Sequence, residues 1–315
     1  MTKNKLNLTL AISAVVFVFV TIWFIPPVYL LKWSTIEVTQ YHRKEGEVQT
    51  IVGPGSKNWI NSQNISRHAL NAIVTAEDAR FYRHNGIDLI EIWKSLETNI
   101  RKGRYARGGS TITQQVVKVA FLTREKSIIR KLREITGALI LENILTKKQI
   151  LEWYINLVEF GDGVYGIKNG CWHYFKTKPS QLSIAQSIHL ALVLPSPNKW
   201  SKGLRHRKLT DFGHRRFHFI LKRMYRSRYI TEPQLKATLA LGDFGNPIHG
   251  YEKYLEESTP PPESCQTTEC LEETWDEDID SLIFPTPVPA TPNQSKEIKP
   301  LVPTLEPEKN EETKI

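Results

Sequence analysis

An uncharged run of 18 residues near the start of the chain, from Leu8 to Ile25, most constrains how it can fold. With the apolar residues that continue to Leu31, a helix over this run would be about 30 Å long, the thickness of a bilayer's hydrocarbon core. Two lysines precede the run, so the positive-inside tendency keeps the N-terminus in the cytoplasm and places the rest of the chain outside. We therefore predict a cytoplasmic stub and a single transmembrane anchor over residues 1–33.

A cleaved signal peptide is the alternative interpretation of this segment. The apolar stretch is too long for one, and no clear A-x-A cleavage site follows it. Trp23, Tyr29 and Trp33 lie where the aromatic belt of a membrane–water interface is expected. The retained anchor is the favoured interpretation.

The net charge of +9 is the sum of two very different segments. Residues 251–315 hold 16 acidic and 5 basic residues together with 10 of the 18 prolines, and show no helical or strand periodicity. Such a composition cannot bury enough apolar surface to offset its ordering entropy, so this acidic, proline-rich tail is predicted to be disordered. Residues 1–250 carry a net charge of +20. A basic body at a membrane favours anionic headgroups or a phosphate-bearing substrate over nucleic acid.

Helical periodicity dominates between residues 64 and 250, so the fold class is predicted to be mainly α. Residues 34–63 look extended or irregular and are predicted to form a stalk, and no convincing strand pair is recognised. Capping boxes are predicted at Asp88, Thr111 and Thr146. Only three cysteines occur, Cys171 in the body and Cys265 and Cys270 in the tail, where the latter two could pair or stay free. No zinc-ligand spacing is present, so no metal site is predicted.

Two carboxylates and one helix stripe are candidates for chemistry. Glu77 ends an apolar helix beside Asp78, and a neighbouring like charge with partial burial would suit it to act as a general base near neutral pH. Glu134 follows Lys131 by three residues and Arg130 by four, on one helix face. Taken alone, the ordinary explanations are favoured, namely a helix-end acid pair and a solvated ion pair.

The helix after residue 110 carries a stronger signal. Thr111, Gln115 and Lys118 are spaced i, i+4, i+7 and form one polar stripe. Gly108, Gly109 and Ser110 come directly before it, where free backbone amides favour an anion. With Lys118, Arg107 and Arg130, this turn predicts a cradle for a pyrophosphate, although no Walker-type motif is present.

Five blocks of this sequence resemble the motifs of the peptidoglycan glycosyltransferases, glycosyltransferase family 51, whose domain also occurs in class A penicillin-binding proteins. They cover residues 64–200 in the family's order. The blocks are AEDARFYRHNG (76–86), GGSTITQQVVK (108–118), RKLRE (130–134), ILEWYINLVEFGDGVYGI (150–167) and LALVLPSPNKW (190–200). Val119 and Gln186 depart from the usual residues of the family.

The resemblance implies a lysozyme-like, mainly α domain that polymerises lipid II into glycan strands and releases undecaprenyl pyrophosphate. By motif, Glu77 would be the general base and Glu134 the second essential carboxylate, near the leaving group or a metal that bridges it. The residues that would bind substrate are Lys118, Arg130 and Lys131 at the pyrophosphate, and Asp78, Phe81, His84, Ser110, Thr111 and Gln115 around the cleft. No cofactor is required by the sequence, and Mg or Mn is expected only because family members often respond to these ions.

The resemblance to the monofunctional members, which lack a transpeptidase domain, further implies the bacterial inner (plasma) membrane as location. The expected partners are lipid II, the growing glycan chain, the membrane and other cell-wall synthesis proteins. Two alternative functions are a lysozyme-like hydrolase that cuts glycan and a catalytically silent glycan-binding or scaffold protein. A hydrolase would have no use for the lipid anchor and the cationic stripe.

Overall fold

The computed structural model describes residues 12–14, 24–103, 108–125, 127–242 and 244. Helices make up most of this part of the chain, which confirms the predicted mainly α class. The helices are α1 (Leu30–Trp33), α2 (Arg67–Glu77), α3 (Leu89–Arg101), α4 (Ile112–Phe121), α5 (Ile128–Ile144), α6 (Lys147–Leu157), α7 (Ile167–Phe175), α8 (Ile184–Val193), α9 (Pro197–His206), α10 (Asp211–Arg226) and α11 (Glu232–Leu241). Short 3₁₀ turns lie at Ser62–Asn64, Phe81–Arg83 and Pro179–Gln181.

A β-hairpin lies between α1 and the remaining helices. Residues 34–63, predicted to be extended or irregular, thus contain a strand pair, and the expectation of no strand pair is wrong. Strand β1 (Ile36–His42) pairs antiparallel with β2 (Gly46–Val52), so that Ile36 lies opposite Val52. Ile36 and Val38 are buried and β1 packs against α4, while alternate residues point to solvent. The sequence signal for this hairpin is the alternation of apolar and polar residues along β1.

The core centres on α8, which is apolar on nearly all sides. Ile188, Leu190 and Val193 are fully buried, and α2, α9 and α10 pack around this helix. Because α2 is fixed along its length by α8 and α10, its last residue, Glu77, is held in a defined place.

A second set of helices is organised by α4, which packs against α5, α6 and β1. Gly137 of α5 allows the close approach, since a Cβ there would lie 2.7 Å from Cγ1 of Val117. Gly137 therefore sets the distance between α4 and α5, and the cap fixes where α4 begins. Thr111 caps α4 in a capping box with Gln114, as predicted.

Other helix boundaries follow their predicted signals with local differences. The capping box of Thr146 with Gln149 is present at α6, and Asp88 accepts from the backbone N–H of Glu91 at the start of α3. Helix α7 begins at Ile167, after Tyr165, which forms a β-bridge with Glu159. Helix α9 was not predicted, although Pro197 occupies the first turn, where proline is favoured.

The end of the predicted anchor packs against the helical domain. Val28 and Leu31 are buried, and the indole N–H of Trp153 donates to the carbonyl of Leu31 at 3.0 Å. Tyr29 and Trp33, predicted at a membrane interface, are exposed. Among the residues that the structure describes, no helix is both long enough and apolar enough to cross a bilayer.

Several predictions lie outside the described residues, namely most of the anchor, Trp23, Arg107, Cys265, Cys270 and the tail of residues 251–315. Cys171 is described, and its thiol is buried in the core. Burial raises the pKa of this thiol to about 12, so it is a packing residue and no nucleophile at neutral pH.

Candidate active site

A cleft of about 500 Å³ opens between the end of α2, helix α4 and the helices α9 and α10. Its polar side carries Glu77, Gln115 and Lys118, together with Ser110 from the turn before α4. Its other side is mostly apolar and aromatic, formed by Leu192, Leu194, Pro195, Trp200, Leu204, Leu209, Phe212 and Phe219. The cleft therefore has one polar, charged side and one apolar side that could contact the apolar faces of a sugar or a lipid.

Glu77 is the last residue of α2, and its side chain reaches into this cleft. The side-chain amide of Gln115 donates to its carboxylate at 3.0 Å, and the hydroxyl of Tyr154 donates to the oxygen of Gln115 at 3.4 Å. Burial raises the pKa of Glu77, while the bond from Gln115 and the charges of Arg216 and Lys118 lower it. The sequence predicted that partial burial and the neighbouring Asp78 would favour the protonated form of Glu77; burial is the largest cause of its raised pKa, and the charge of Asp78 is the smallest. Burial therefore makes this carboxylate a stronger proton acceptor than an exposed one, while Gln115, Arg216 and Lys118 favour its ionised form.

Lys118 lies one helical turn beyond Gln115 on α4 and faces the same cleft. Burial lowers the pKa of Lys118, and the nearby charges of Glu134 and Glu77 raise it. The predicted stripe is thus divided, because Gln115 and Lys118 face the cleft whereas Thr111 is buried at the helix start. The Thr111 hydroxyl donates to the carbonyl of Gly86 at 2.7 Å.

Asp78 and His84 form a buried pair that joins two elements. The carboxylate of Asp78 accepts from Nε2 of His84 at 3.0 Å and from the backbone N–H of Ile112, the first residue of α4, at 2.9 Å. Phe81, between them in sequence, is fully buried in the core. Asp78 and Thr111 line a smaller cavity of about 70 Å³ beside Glu77, rather than the large cleft. Three of the predicted cleft residues, Asp78, His84 and Thr111, therefore join the loop after α2 to the start of α4, and the fourth, Phe81, is a core residue.

Glu134 lies in α5 with a side chain only 3 % exposed. Nζ of Lys131 binds its carboxylate and also donates to the hydroxyl of Ser110 at 3.0 Å. Glu134 and Lys131 do not line the large cleft, yet Ser110 does, so this ion pair lies behind the cleft's rim. Negative and positive side chains therefore alternate in space, since Lys118 lies near both Glu77 and Glu134, and Glu134 binds Lys131.

Arg130 was expected on the same face as Glu134, but its guanidinium points elsewhere. It donates to the carbonyls of Thr123 and Arg124 at 3.3 Å each. These bonds tie the connection between α4 and α5 to the first turn of α5. The pyrophosphate cradle predicted from the sequence is therefore represented in the described cleft by Lys118 and Ser110, with Lys131 behind.

Sequence reasoning assigned no role to α10, which contributes one wall of the cleft. Phe212, Arg216, Phe219 and Arg223 are spaced i, i+4, i+7, i+11, so they share one helix face, and all four line the cleft. Phe212 stacks on Trp200 with ring centroids 5.0 Å apart. The helical stripe was readable in the sequence, but nothing local showed that it would face Glu77.

Three side chains, Asp78, His84 and Asp88, offer metal-ligand atoms within 4.8 Å of one another. Each carboxylate already accepts from protein donors: Asp78 as described, and Asp88 from Arg80 Nε at 3.0 Å and from the N–H of Glu91. A cationic guanidinium beside these oxygens disfavours a divalent ion. The cluster is thus explained as a buried ion-pair framework.

Comparisons with known proteins agree with this geometry. A family model described as "Transglycosylase" matches residues 44–225, more than half of the chain. Proteins named biosynthetic peptidoglycan transglycosylase are similar to it. The one from Dechloromonas aromatica (strain RCB) is 38% identical over 193 residues, 61% of this chain and 80% of that protein.

Two further relatives carry the same name. The protein of Paraburkholderia xenovorans (strain LB400) is 46% identical over 139 residues, 44% of this chain and 58% of the relative. That of Nitrosomonas eutropha (strain DSM 101675 / C91 / Nm57) is 37% identical over 180 residues, 56% of this chain and 73% of the relative. The matched residues include the end of α2, the turn before α4 and most of α10. With a family match of this extent around the Glu77 cleft, the chain belongs to the transglycosylase family.

Proposed function

We propose that this peptidoglycan glycosyltransferase polymerises lipid II into glycan strands by inverting transfer and releases undecaprenyl pyrophosphate. The observation that carries the proposal is the Glu77 carboxyl, which lies in a large cleft beside Gln115, Lys118 and Arg216. The family match and the names of the relatives support the reaction class and its place in bacterial cell-wall synthesis.

Glu77 acts as the general base of the reaction. Its carboxylate takes the proton from the 4-hydroxyl of the acceptor sugar, and the resulting oxygen nucleophile attacks the anomeric carbon of the donor chain. The bond between that carbon and the pyrophosphate oxygen breaks, and the electron pair leaves with the pyrophosphate. Burial suits Glu77 to this step, since a carboxyl with a raised pKa is a stronger base than an exposed one.

The leaving group is an anion that needs fixed positive charge and no proton. Lys118 supplies that charge inside the cleft, and Lys131 adds a second charge through its contact with Ser110 at the rim. Glu134 keeps Lys131 in place and lies close enough to Lys118 to raise its pKa. Arg130 does not line the cleft, but it binds the connection between α4 and α5, and its charge lowers the pKa of Lys118. Mg or Mn would add charge at the pyrophosphate, and their effect on the rate is open to direct measurement.

A lipid-linked substrate requires the enzyme to act at a membrane, and helix α3 has an exposed apolar face that could contact the bilayer. Leu89, Trp93, Leu96 and Ile100 are spaced i, i+4, i+7, i+11 on one helix face and are 75%, 70%, 48% and 72% exposed. Large contiguous apolar surfaces of this kind are uncommon on proteins that stay in water. With the apolar N-terminal run, this face supports attachment to the bacterial inner (plasma) membrane by one anchor, with the catalytic domain on the extracytoplasmic side and near other cell-wall synthesis proteins.

The base is tested with purified protein and lipid II. Glu77→Gln keeps the shape of the side chain and removes the proton acceptor, so polymer formation should fall at least about 100-fold, the lower end of what a general base contributes. Glu45→Gln, which changes an exposed carboxylate in the hairpin turn, should leave the rate unchanged. Activity of Glu77→Gln within a few fold of the parent would remove Glu77 as the base.

The membrane contact is tested by fluorescence quenching with brominated lipids in vesicles that hold the full chain. Trp93→Phe should remove a quenched part of the emission, because Trp93 would lie among the acyl chains. Trp172→Phe is the matched control, since Trp172 is 63% exposed on α7, outside the α3 face. Equal quenching before and after Trp93→Phe would show that α3 does not enter the bilayer.

A further inference from the structure

Arg216 of α10 is held against the end of the helix that carries the proposed base. Its Nη2 donates to the carbonyl of Ala76 at 3.3 Å, and Ala76 directly precedes Glu77. Both Arg216 and Glu77 line the large cleft. The Nε of Arg216 is buried and has no hydrogen-bond partner among the described residues. The guanidinium of Arg216 therefore binds the backbone of α2 through Nη2, while its Nε–H donates to no described residue.

Glu77 needs a positive charge at this place for a physical reason. As the last residue of α2, it lies at the negative end of the helix dipole, which disfavours a carboxylate there. Burial disfavours the carboxylate further. The groups that face it are Lys118 on α4, Arg216 on α10, Asp78 in the adjoining loop and the Tyr154 hydroxyl on α6. Arg216 and Lys118 are the cations of this set.

We propose that Arg216 is a positioning residue for Glu77: it fixes the Ala76 carbonyl at the end of α2 and supplies the positive charge that faces the Glu77 carboxylate from α10. The proposal rests on the proposed role of Glu77 as general base. Arginine suits this task better than lysine, because its planar fork can bind a carbonyl and still present charge to a second group. Arg216 is not assigned a contact with substrate.

The electrostatic part predicts a change in pH dependence. The charge of Arg216 lowers the pKa of Glu77, so Arg216→Gln should raise it. Since the base works only when ionised, the acid limb of the kcat/KM profile for lipid II should move to higher pH, and at a pH below the limb the rate should fall by about tenfold for each pH unit of that movement. Arg215→Gln removes the same charge from the neighbouring residue of α10, which does not line the cleft, and should leave the limb in place.

The positioning part predicts a different result for lysine. Arg216→Lys keeps the positive charge, so the acid limb should return towards its original position. The fork to the Ala76 carbonyl is lost, so kcat on the pH plateau should fall several fold. If Arg216→Gln does not fold, Arg216→Lys carries this test, and full parental kcat in that variant would overturn the positioning role.

A titration that does not depend on activity separates this inference from the proposed function. In the full chain in detergent micelles, labelled with ¹³C at glutamate side chains, the Glu77 signal is assigned by its loss in Glu77→Gln. It should titrate at higher pH in Arg216→Gln than in the parent and in Arg215→Gln. The same midpoint in all three proteins would overturn the inference. A parent that makes no polymer would instead contradict the proposed function, and the titration would still decide the role of Arg216.

Discussion

Replacing Asp78 with alanine should destabilise the folded protein, because two buried donors would lose their acceptor. The Asp78 carboxylate accepts from Nε2 of His84 at 3.0 Å and from the N–H of Ile112 at 2.9 Å. The side chains of Asp78 and His84 are only 4% and 6% exposed, so water cannot easily replace the carboxylate. This pair links the loop after Glu77 to the first turn of α4.

The size of the effect follows from those two bonds. Each unsatisfied buried donor costs about 1–3 kcal/mol, so Asp78→Ala should lower the free energy of unfolding by about 4 kcal/mol. For a folded domain of this size, that corresponds to a drop in Tm of about 8–16 °C. Asp78→Asn should cost less, because its carbonyl oxygen can still accept from Ile112. Nδ1 of His84, which has no hydrogen-bond partner among the described residues, can take the proton, which lets Nε2 accept from the new amide.

The assay is thermal unfolding of the full chain in detergent, followed by circular dichroism. Glu45→Ala, in the hairpin turn, controls for the loss of an exposed carboxylate and should leave Tm within about 1 °C. A decrease below about 2 °C for Asp78→Ala would refute the framework role. Asp78 would then serve chiefly to bind substrate at the cleft, as the resemblance implied.

Three further predictions concern stability. Glu77→Gln should raise the free energy of unfolding at neutral pH. Folding raises the pKa of this acid, so the folded protein loses stability as the pH rises from the ordinary value of 4.5 through the raised value. The gain in the variant is about 1.4 kcal/mol for each pH unit by which folding raises that pKa, and denaturant unfolding at several pH values should show that it vanishes below about pH 4. Lys131→Met removes the cation that is bound to the buried Glu134 carboxylate and should cost about 3 kcal/mol by urea unfolding, whereas exposed Lys148→Met should cost nothing measurable. Gly137→Ala should cost about 1–3 kcal/mol, because its Cβ would lie 2.7 Å from Val117, and a smaller loss in the double variant with Val117→Ala would tie the cost to that contact.

Local patterns in the sequence were enough to predict the polar side of the cleft. Gln115 and Lys118 share a face because helical spacing is a local property, and Glu77 is recognised from its motif at a helix end. The capping boxes at Thr111 and Thr146 were found for the same reason, since a cap is complete within four residues.

What the sequence missed depends on contacts between distant segments. Arg216 faces Glu77 only because α10 packs on α2, and 138 residues separate the two in sequence. The roles of Asp78 and His84 depend on burial, and the direction of the Arg130 side chain depends on carbonyls in the preceding connection. The β-hairpin is a different case, because the alternation in polarity along β1 is local, and yet these residues were predicted to be an extended or irregular stalk.

The most direct test is incubation of the full chain with lipid II in detergent or vesicles, with separation of the products by length. The account predicts long glycan strands and release of undecaprenyl pyrophosphate, with both lost in Glu77→Gln. Shortening of preformed strands with no polymer from lipid II would contradict it and would identify a glycan-cleaving enzyme instead.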